Sequence, residues 1–324
     1  MPKIDIIKHG WSHTVINKPY GISSFGKEAG GAFDQLVLEG KLNPEDIPKF
    51  RFVTNLGRKQ TGGVIGTAFQ TFAFKHHSAA RRRGMFYEKI DDCQFSFRAQ
   101  YVGLFALPDT VDINNYFESI RSRYFKINTI TMQGFIDSDV TMVEQEGSVK
   151  LIKTRPAETS FTILEGKRPS TDLIDKYPKL FKSKIIYPII MRPVRRNFDN
   201  QIMSHFNDNF GIPFLNDINY KADKGHELTF GRGNFHLEPS IFKSDQIALH
   251  CAHIHIGQRK LKENFMFPIY NKEDRELWTG FLQEDGYFID EIQYNLVNYA
   301  KRFQRKADYP FPIFKALGIT KIHK

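Results

Sequence analysis

The segment His250-Cys-Ala-His253-Ile-His255 holds three imidazoles within six residues. Side chains alternate on a β-strand, so His253 and His255 share a face with Leu249 and Cys251, while His250 points away. Two such imidazoles can hold a divalent ion, and a tyrosine hydroxyl beside the ion can attack a phosphodiester. Tyr294 and Tyr299 stand on a predicted helix tens of residues later. Asp137-Ser-Asp139 places two carboxylates on one strand face, where metal for phosphoryl transfer can bind. Gly231-Arg-Gly-Asn-Phe-His236 is a looser candidate for nucleotide contact. An ordinary polar sheet face produces each of these patterns without a ligand, and no third metal ligand is identifiable beside the histidines.

Charge carries a different chemistry. Between Asp46 and Glu88 there is no acidic residue, yet Lys49, Arg51, Arg58, Lys59, Lys75, Arg81, Arg82 and Arg83 all fall there. Gly57, Gly62, Gly63, Gly66 and Gly84 accompany them, with Phe50, Phe52, Phe69, Phe72, Phe74 and Phe86. Cations neutralise phosphates and release counterions, glycines let the backbone come close, and rings stack on bases. The alternative is a solvated basic surface that binds nothing. Arg192, Arg195 and Arg196 follow a predicted strand and precede a helix, a place suited to phosphate contacts. Net charge is +10 with a pI of about 9.4. Residues 1–90 hold 14 Lys and Arg against 7 Asp and Glu, and residues 301–324 hold 7 against 1. Two basic ends around a slightly acidic middle point to localised recognition of an anion.

Several function classes drop out. Cys93 and Cys251 are the two cysteines, too few for a disulfide scaffold or a cysteine-rich zinc module, and they suit a reducing cytoplasm. Residues 1–10 lack the apolar region of a signal peptide, and no apolar run reaches the roughly 18–20 residues of a membrane helix. There is no Walker A, Rossmann glycine fingerprint, Cys-x-x-Cys, His-Glu-x-x-His or Gly-x-Ser-x-Gly. No cofactor or metal is expected.

The elements that must position these groups are mostly strands. From Cys93 to Leu107 apolar residues fill the odd positions, and Gln94, Ser96, Arg98 and Gln100 fill the first even ones, which predicts a half-buried strand. Asp109 or Thr110 can cap a helix carrying Val111, Ile113, Phe117, Ile120 and Tyr124. Strands over 129–143 and 149–154 follow, separated by Glu146-Gly147. Residues 91–154 therefore read as a βαββ core, the order of an α+β, RNA-recognition-motif or ferredoxin-like antiparallel sheet with long inserted loops. Residues 1–90 read as strands plus basic Gly-rich loops, and 155–183 as an inserted loop. Residues 184–324 read as a second αβ half of the same single domain. In that half, Pro188 makes the apolar Lys184–Met191 an edge strand or a broken one. Phe198, Ile202, Phe206 and Phe210 suit a helix ending at Gly211, and 226–237 and 247–256 read as strands. Ile292, Leu296, Tyr299 and Phe303 form a helical stripe near the end.

Three family resemblances attach to these motifs. A His-hydrophobic-His pair followed by a helical tyrosine resembles rolling-circle nucleases. Asn17-Lys-Pro-Tyr-Gly-Ile-Ser-Ser24 resembles the first motif of pseudouridine synthases. That family also needs an aspartate in a Gly-x-Leu-Asp segment, and the nearest match here, Leu56-Gly57-Arg58-Lys59, has none. The segment is accordingly read as a Pro-Gly turn carrying a lysine. Finally, Pro48-Lys-Phe-Arg-Phe-Val-Thr-Asn-Leu-Gly-Arg-Lys59 resembles a stretch of a backbone subunit of type I CRISPR-Cas complexes, with His9-Gly10 before it and His76-His77 after it. The likeness covers residues 5–85. It implies a non-enzymatic, antiviral ribonucleoprotein subunit that oligomerises along a guide RNA. Its partners would be that crRNA, further copies of itself, other Cas subunits and target DNA, with no membrane. On this reading Lys49, Arg51, Asn55, Arg58 and Lys59 contact RNA, joined by His76, His77, Arg81, Arg82 and Arg83 and by the later arginines. A single-strand DNA endonuclease and a nucleic-acid-packaging protein are the two alternatives.

Overall fold

The structure is a computed structural model that describes residues 3–27, 29–81, 95–120, 125–130, 132–146, 149–195, 201–217, 246–258 and 261–304. The first third holds β1 (Asp5–His9), β2 (Thr14–Lys18), α1 (Ala32–Leu38), β3 (Arg51–Phe52), β4 (Thr61–Thr67) and α2 (Gln70–Arg81). Next come β5 (Phe95–Pro108), α3 (Ile113–Ser119), β6 (Phe125–Asn128), β7 (Gln133–Glu146) and β8 (Val149–Ile163). Then follow α4 (Thr171–Lys176), α5 (Pro178–Phe181), β9 (Lys184–Arg195), α6 (Gln201–Phe210), β10 (Leu249–Gln258), β11 (Leu261–Met266), α7 (Lys272–Arg275) and α8 (Asp290–Gln304). The strands form one sheet of 11 in the order β1-β2-β4-β10-β5-β9-β8-β7-β6, with β11 on β10 and β3 on β4. β4 and β10 run parallel through Thr61–His250 and Gly62–Cys251, whereas β10 is antiparallel to β5 and β11.

This large mixed sheet corrects the expected RNA-recognition-motif or ferredoxin-like architecture. The local succession β5, α3, β6, β7, β8 is present, and β6, β7 and β8 do pair in turn. β5, however, pairs with β9 and β10, which come from far along the chain. Alternation reports the face on which a residue lies; it does not report which strand stands beside it. The helix after β5 starts later than expected, because Asp112 is the cap and its carboxylate accepts the Asn115 N–H at 2.9 Å.

Both faces of β5 are covered. On one, Phe97, Ala99, Tyr101, Phe105 and Leu107 join a core with Phe72 of α2, Phe117 of α3 and Phe206 and Phe210 of α6. On the other, Val102 and Leu104 pack with Phe181, Trp278, Ile292 and Leu296. Arg98 and Gln100, expected on a half-solvated face, are buried as well; α8 covers Gln100, whose amide donates to the Leu296 carbonyl at 2.8 Å. Pro188 does not make β9 an edge strand. Its partner Leu104 turns its own N–H toward Ala248, and the Pro188 carbonyl accepts from Leu164, the residue just after β8 ends. The missing proline N–H therefore falls where no ladder partner is required. Residues 155–183 contain the end of β8, α4 and α5 in place of one long loop. α6 ends as its spacing predicts, with Gly211 at φ +66°. The expected strand over 226–237 lies outside the described residues. No helix among the described residues is long and apolar enough to cross a membrane.

Candidate functional site

Two loops from the first third of the chain are locked together. β2 ends on Lys18, whose side chain is fully buried. A buried ammonium needs acceptors, and the Lys18 Nζ donates to three carbonyls: Pro19 at 2.9 Å, Ile22 at 2.6 Å and Gln60 at 2.5 Å. The two loops add backbone bonds of their own. Gly21 N–H donates to the Arg58 carbonyl at 2.9 Å, and Ser24 N–H to the Leu56 carbonyl at 3.1 Å. The Ser24 hydroxyl oxygen accepts the Leu56 N–H at 2.8 Å. Gly21 sits at φ +84°, a conformation in which an L side chain would be strained. Within the second loop, Gly57 N–H meets the Gln60 side-chain oxygen, and Ile247 N–H meets the Lys59 carbonyl, joining the loop to the approach of β10.

Titratable groups gather behind this junction. Asp274 of α7 is 3% exposed and accepts the Tyr20 N–H. Burial pushes its carboxyl up to about 6 against the pull of Tyr20 and the Lys18 charge, and burial brings the Lys18 amine down to about 7. His250 Nε2 donates to the Phe267 carbonyl at 2.8 Å, so its Nδ1 accepts from the Thr61 hydroxyl at 2.7 Å, and burial lowers its pKa to about 4. A cavity of about 410 Å³ opens between Asn17, Lys18, Thr61, His250, Tyr270 and Asp274. Because all three Nζ directions of Lys18 go to carbonyls, the lysine holds the loops in place.

The structure groups some of the sequence candidates and scatters others. Asn55, Arg58 and Lys59 share the 54–60 loop, with Arg58 exposed and the other two half-buried. Lys49 and Arg51 are exposed just before it. His77 is exposed on α2, but its neighbour His76 is 2% exposed, 4.4 Å edge-on from Phe97, and brought to about 3 by burial. Arg192 is also interior: its Nε donates to Gln100 at 2.7 Å and its Nη1 to Thr162 at 3.0 Å. Arg81 lies on α2 and Arg195 on β9, while Arg82, Arg83 and Arg196 lie outside the described residues.

The metal-and-tyrosine arrangement does not assemble. His253 is bonded to Gln100 at 2.8 Å and His255 to Asn264 at 3.0 Å, both under cover, with burial lowering the pKa of each. Tyr294 is exposed on α8, and Tyr299 lies on the same helix. Asp137 and Asp139 are exposed on β7. Among the described residues no group of three or more His, Cys, Asp or Glu could hold a metal. Gly231–His236 lies outside the described residues.

No protein-family model matches the chain. A curated relative, the 21S rRNA pseudouridine(2819) synthase of Candida albicans, is 26% identical over 283 residues, covering 85% of this chain and 100% of the relative. Among solved structures, human RNA pseudouridylate synthase domain-containing 1 overlays with a TM-score of 0.47 at 13% identity, covering 82% of this chain and 83% of that one. Human RNA pseudouridylate synthase domain-containing 4 gives 0.46 at 14%, covering 84% and 92%. The relative's full-length match overturns the CRISPR-Cas resemblance, together with its guide RNA, Cas subunits, target DNA and filament of copies. It equally removes the endonuclease and packaging alternatives, and the expectation of a non-enzymatic binder, since the relative is named as an enzyme. The resemblance set aside at Asn17–Ser24 is the signal that sequence reading undervalued.

Proposed function

We propose that this chain is an RNA pseudouridine synthase acting on ribosomal RNA. The observation that carries the reading is the 26% identity spanning the whole length of the Candida relative. Two features support it. The segment that resembles the first pseudouridine synthase motif is the one built around Lys18 and Gly21, and it is clamped to the 54–60 loop. That loop lies within the acid-free stretch, which supports Lys49, Arg51, Asn55, Arg58, Lys59 and His77 as contacts to the RNA backbone. The loop offers no carboxylate at Gly57 or Arg58; the carboxylate coupled to Lys18 is Asp274. A reducing compartment such as the cytoplasm suits a chain with two cysteines, one of them, Cys251, a buried free thiol.

The reaction is an isomerisation. The uracil's bond from N1 to C1′ breaks, a bond from C5 to C1′ forms, the C5 proton leaves and N1 takes up a proton. Nothing is oxidised and no cofactor is consumed. Loss of the C5 hydrogen supplies the assay: ribosomal RNA transcribed with uridine tritiated at C5 should release tritium to water in the presence of the protein. Absence of release from any large-subunit ribosomal RNA overturns the reading.

A further inference from the structure

A second site stands on the far side of β4's end, and its features fit a base. The turn between β1 and β2 closes with Gly10 N–H on the His13 carbonyl at 3.0 Å, and it carries Trp11 at its tip, 80% exposed. Trp11 meets Phe69 edge-on, centroids 5.7 Å apart at 81°, and Phe69 is itself 42% exposed. The Thr67 hydroxyl donates to the Ser12 carbonyl at 2.6 Å and accepts the Phe69 N–H at 2.9 Å, which joins the turn to the segment after β4. Beside the rings lies a cavity of about 330 Å³ lined by His9, Trp11, Asn43, Asp46, Phe50 and Phe69. That volume is at the small end of the roughly 300–1,000 Å³ of ligand pockets.

The charge arrangement selects the occupant. Asp46 lines the cavity and repels an anion from its interior, while the exposed Lys49 and Arg51 flank the lining residue Phe50 in the chain. Lys49 N–H donates to the Asp46 carbonyl at 3.0 Å, and Arg51 sits opposite Thr67 in the ladder. Cations outside, an acid and an amide inside, and exposed rings beside them fit a nucleotide with its phosphate at the rim. Its base would stack on the indole, beside a wall where the Asn43 amide donates to the Asp46 carboxylate at 3.3 Å and leaves the other carboxylate oxygen to accept from the base edge. We propose that Trp11, with Phe69 and the Asn43–Asp46 wall, binds an unpaired base of the RNA substrate at a subsite distinct from the Lys18 junction. The inference rests on the pseudouridine synthase reading for the identity of the RNA.

Trp11 and Trp278 are the chain's two tryptophans, and Trp278 is fully buried, so a base arriving from solution can stack on and quench the Trp11 indole alone. Anisotropy of an end-labelled single-stranded oligouridylate of about 12 nucleotides, a length within the roughly 4–16 nucleotides of single-strand sites, reads the affinity of the full chain and of every variant, and in the wild type the same oligonucleotide should quench the Trp11 indole. Trp11→Ala should weaken binding about 5- to 150-fold, the stacking of one base, whereas Trp11→Phe should retain most of it and Tyr294→Ala should change nothing. The wild type and all three variants are also assayed for tritium release. If Trp11→Ala binds the oligonucleotide and releases tritium like the wild type, the subsite is overturned and the enzymatic reading stands. Equal quenching by duplex RNA, or by a peptide and not by RNA, also overturns it. If the wild type neither binds RNA nor releases tritium, the synthase reading itself fails and takes the subsite's substrate with it.

Discussion

Replacing Asp274 by asparagine tests the electrostatics of the loop junction. The Asp274 carboxyl has a folded pKa of about 6, above its unfolded value of 3.8, because burial disfavours its charge. The folded state therefore binds this proton more tightly than the unfolded chain does. The stability it contributes is present at low pH and is lost as pH rises from about 4 to about 6. A shift of about two pKa units, at about 1.4 kcal/mol each, sets the loss at about 3 kcal/mol. Lys18, with a folded pKa of about 7, stays largely protonated in this window and adds little to the change. Asparagine keeps an oxygen for the Tyr20 N–H but cannot ionise. In urea unfolding, Asp274→Asn and the wild type should be nearly equal near pH 4. The variant should gain roughly 2–3 kcal/mol on the wild type by about pH 6.5. Taking the difference between the two proteins cancels the titration of the other carboxylates. A difference that stays constant from pH 4 to 6.5 would refute the reasoning, for it would mean that folding leaves the Asp274 pKa at its unfolded value.

The double change Arg58→Glu, Lys59→Glu should lower affinity for single-stranded RNA by about tenfold or more and flatten its salt dependence by about 0.7 in slope per lost phosphate contact. Far-UV circular dichroism should stay unchanged; unaltered affinity would remove the 54–60 loop from the RNA surface. Gly62 has φ +111°, and a Cβ there would stand 2.7 Å from the Cys251 nitrogen on β10. Gly62→Ala should therefore cost at least about 2 kcal/mol from overpacking and backbone strain together, read as a lower urea midpoint.

Much of the local structure was legible. The stripe of Ile292 and Leu296 is α8, and Gly211 ends α6. What periodicity could not carry was the pairing of distant strands: β5 sits between β9 and β10, so a local βαββ succession does not become a ferredoxin-like sheet. Nor could it show that α8 covers Gln100, or that Pro188 lies beside the end of β8. At the site, the Lys18-Pro-Tyr-Gly turn was visible but looked isolated, because the aspartate sought in Leu56–Lys59 is missing. The contact that makes the two segments one site, Lys18 Nζ on the Gln60 carbonyl, spans 42 residues and leaves no spacing rule in the chain. The short likeness over Pro48–Lys59 reflected a basic loop, and charge alone is shared by many RNA binders.

The parallel seam between β4 and β10 also governs how the chain is made. Thr61 meets His250 across 189 residues, and the ladder between β4 and β10 has two register pairs. At the roughly 5–20 residues per second of synthesis, the Thr61–Gly62 end of β4 waits on the order of 10–40 seconds for its neighbour to leave the ribosome. Throughout that time the Thr61-Gly62-Gly63 end of β4, beyond the part covered by β3, has an open edge without charge or proline to discourage misplaced pairing. Loop closure of this span makes the seam a slow, late event in folding. A chaperone that covers this end of β4 on the nascent chain would therefore act before β10 can.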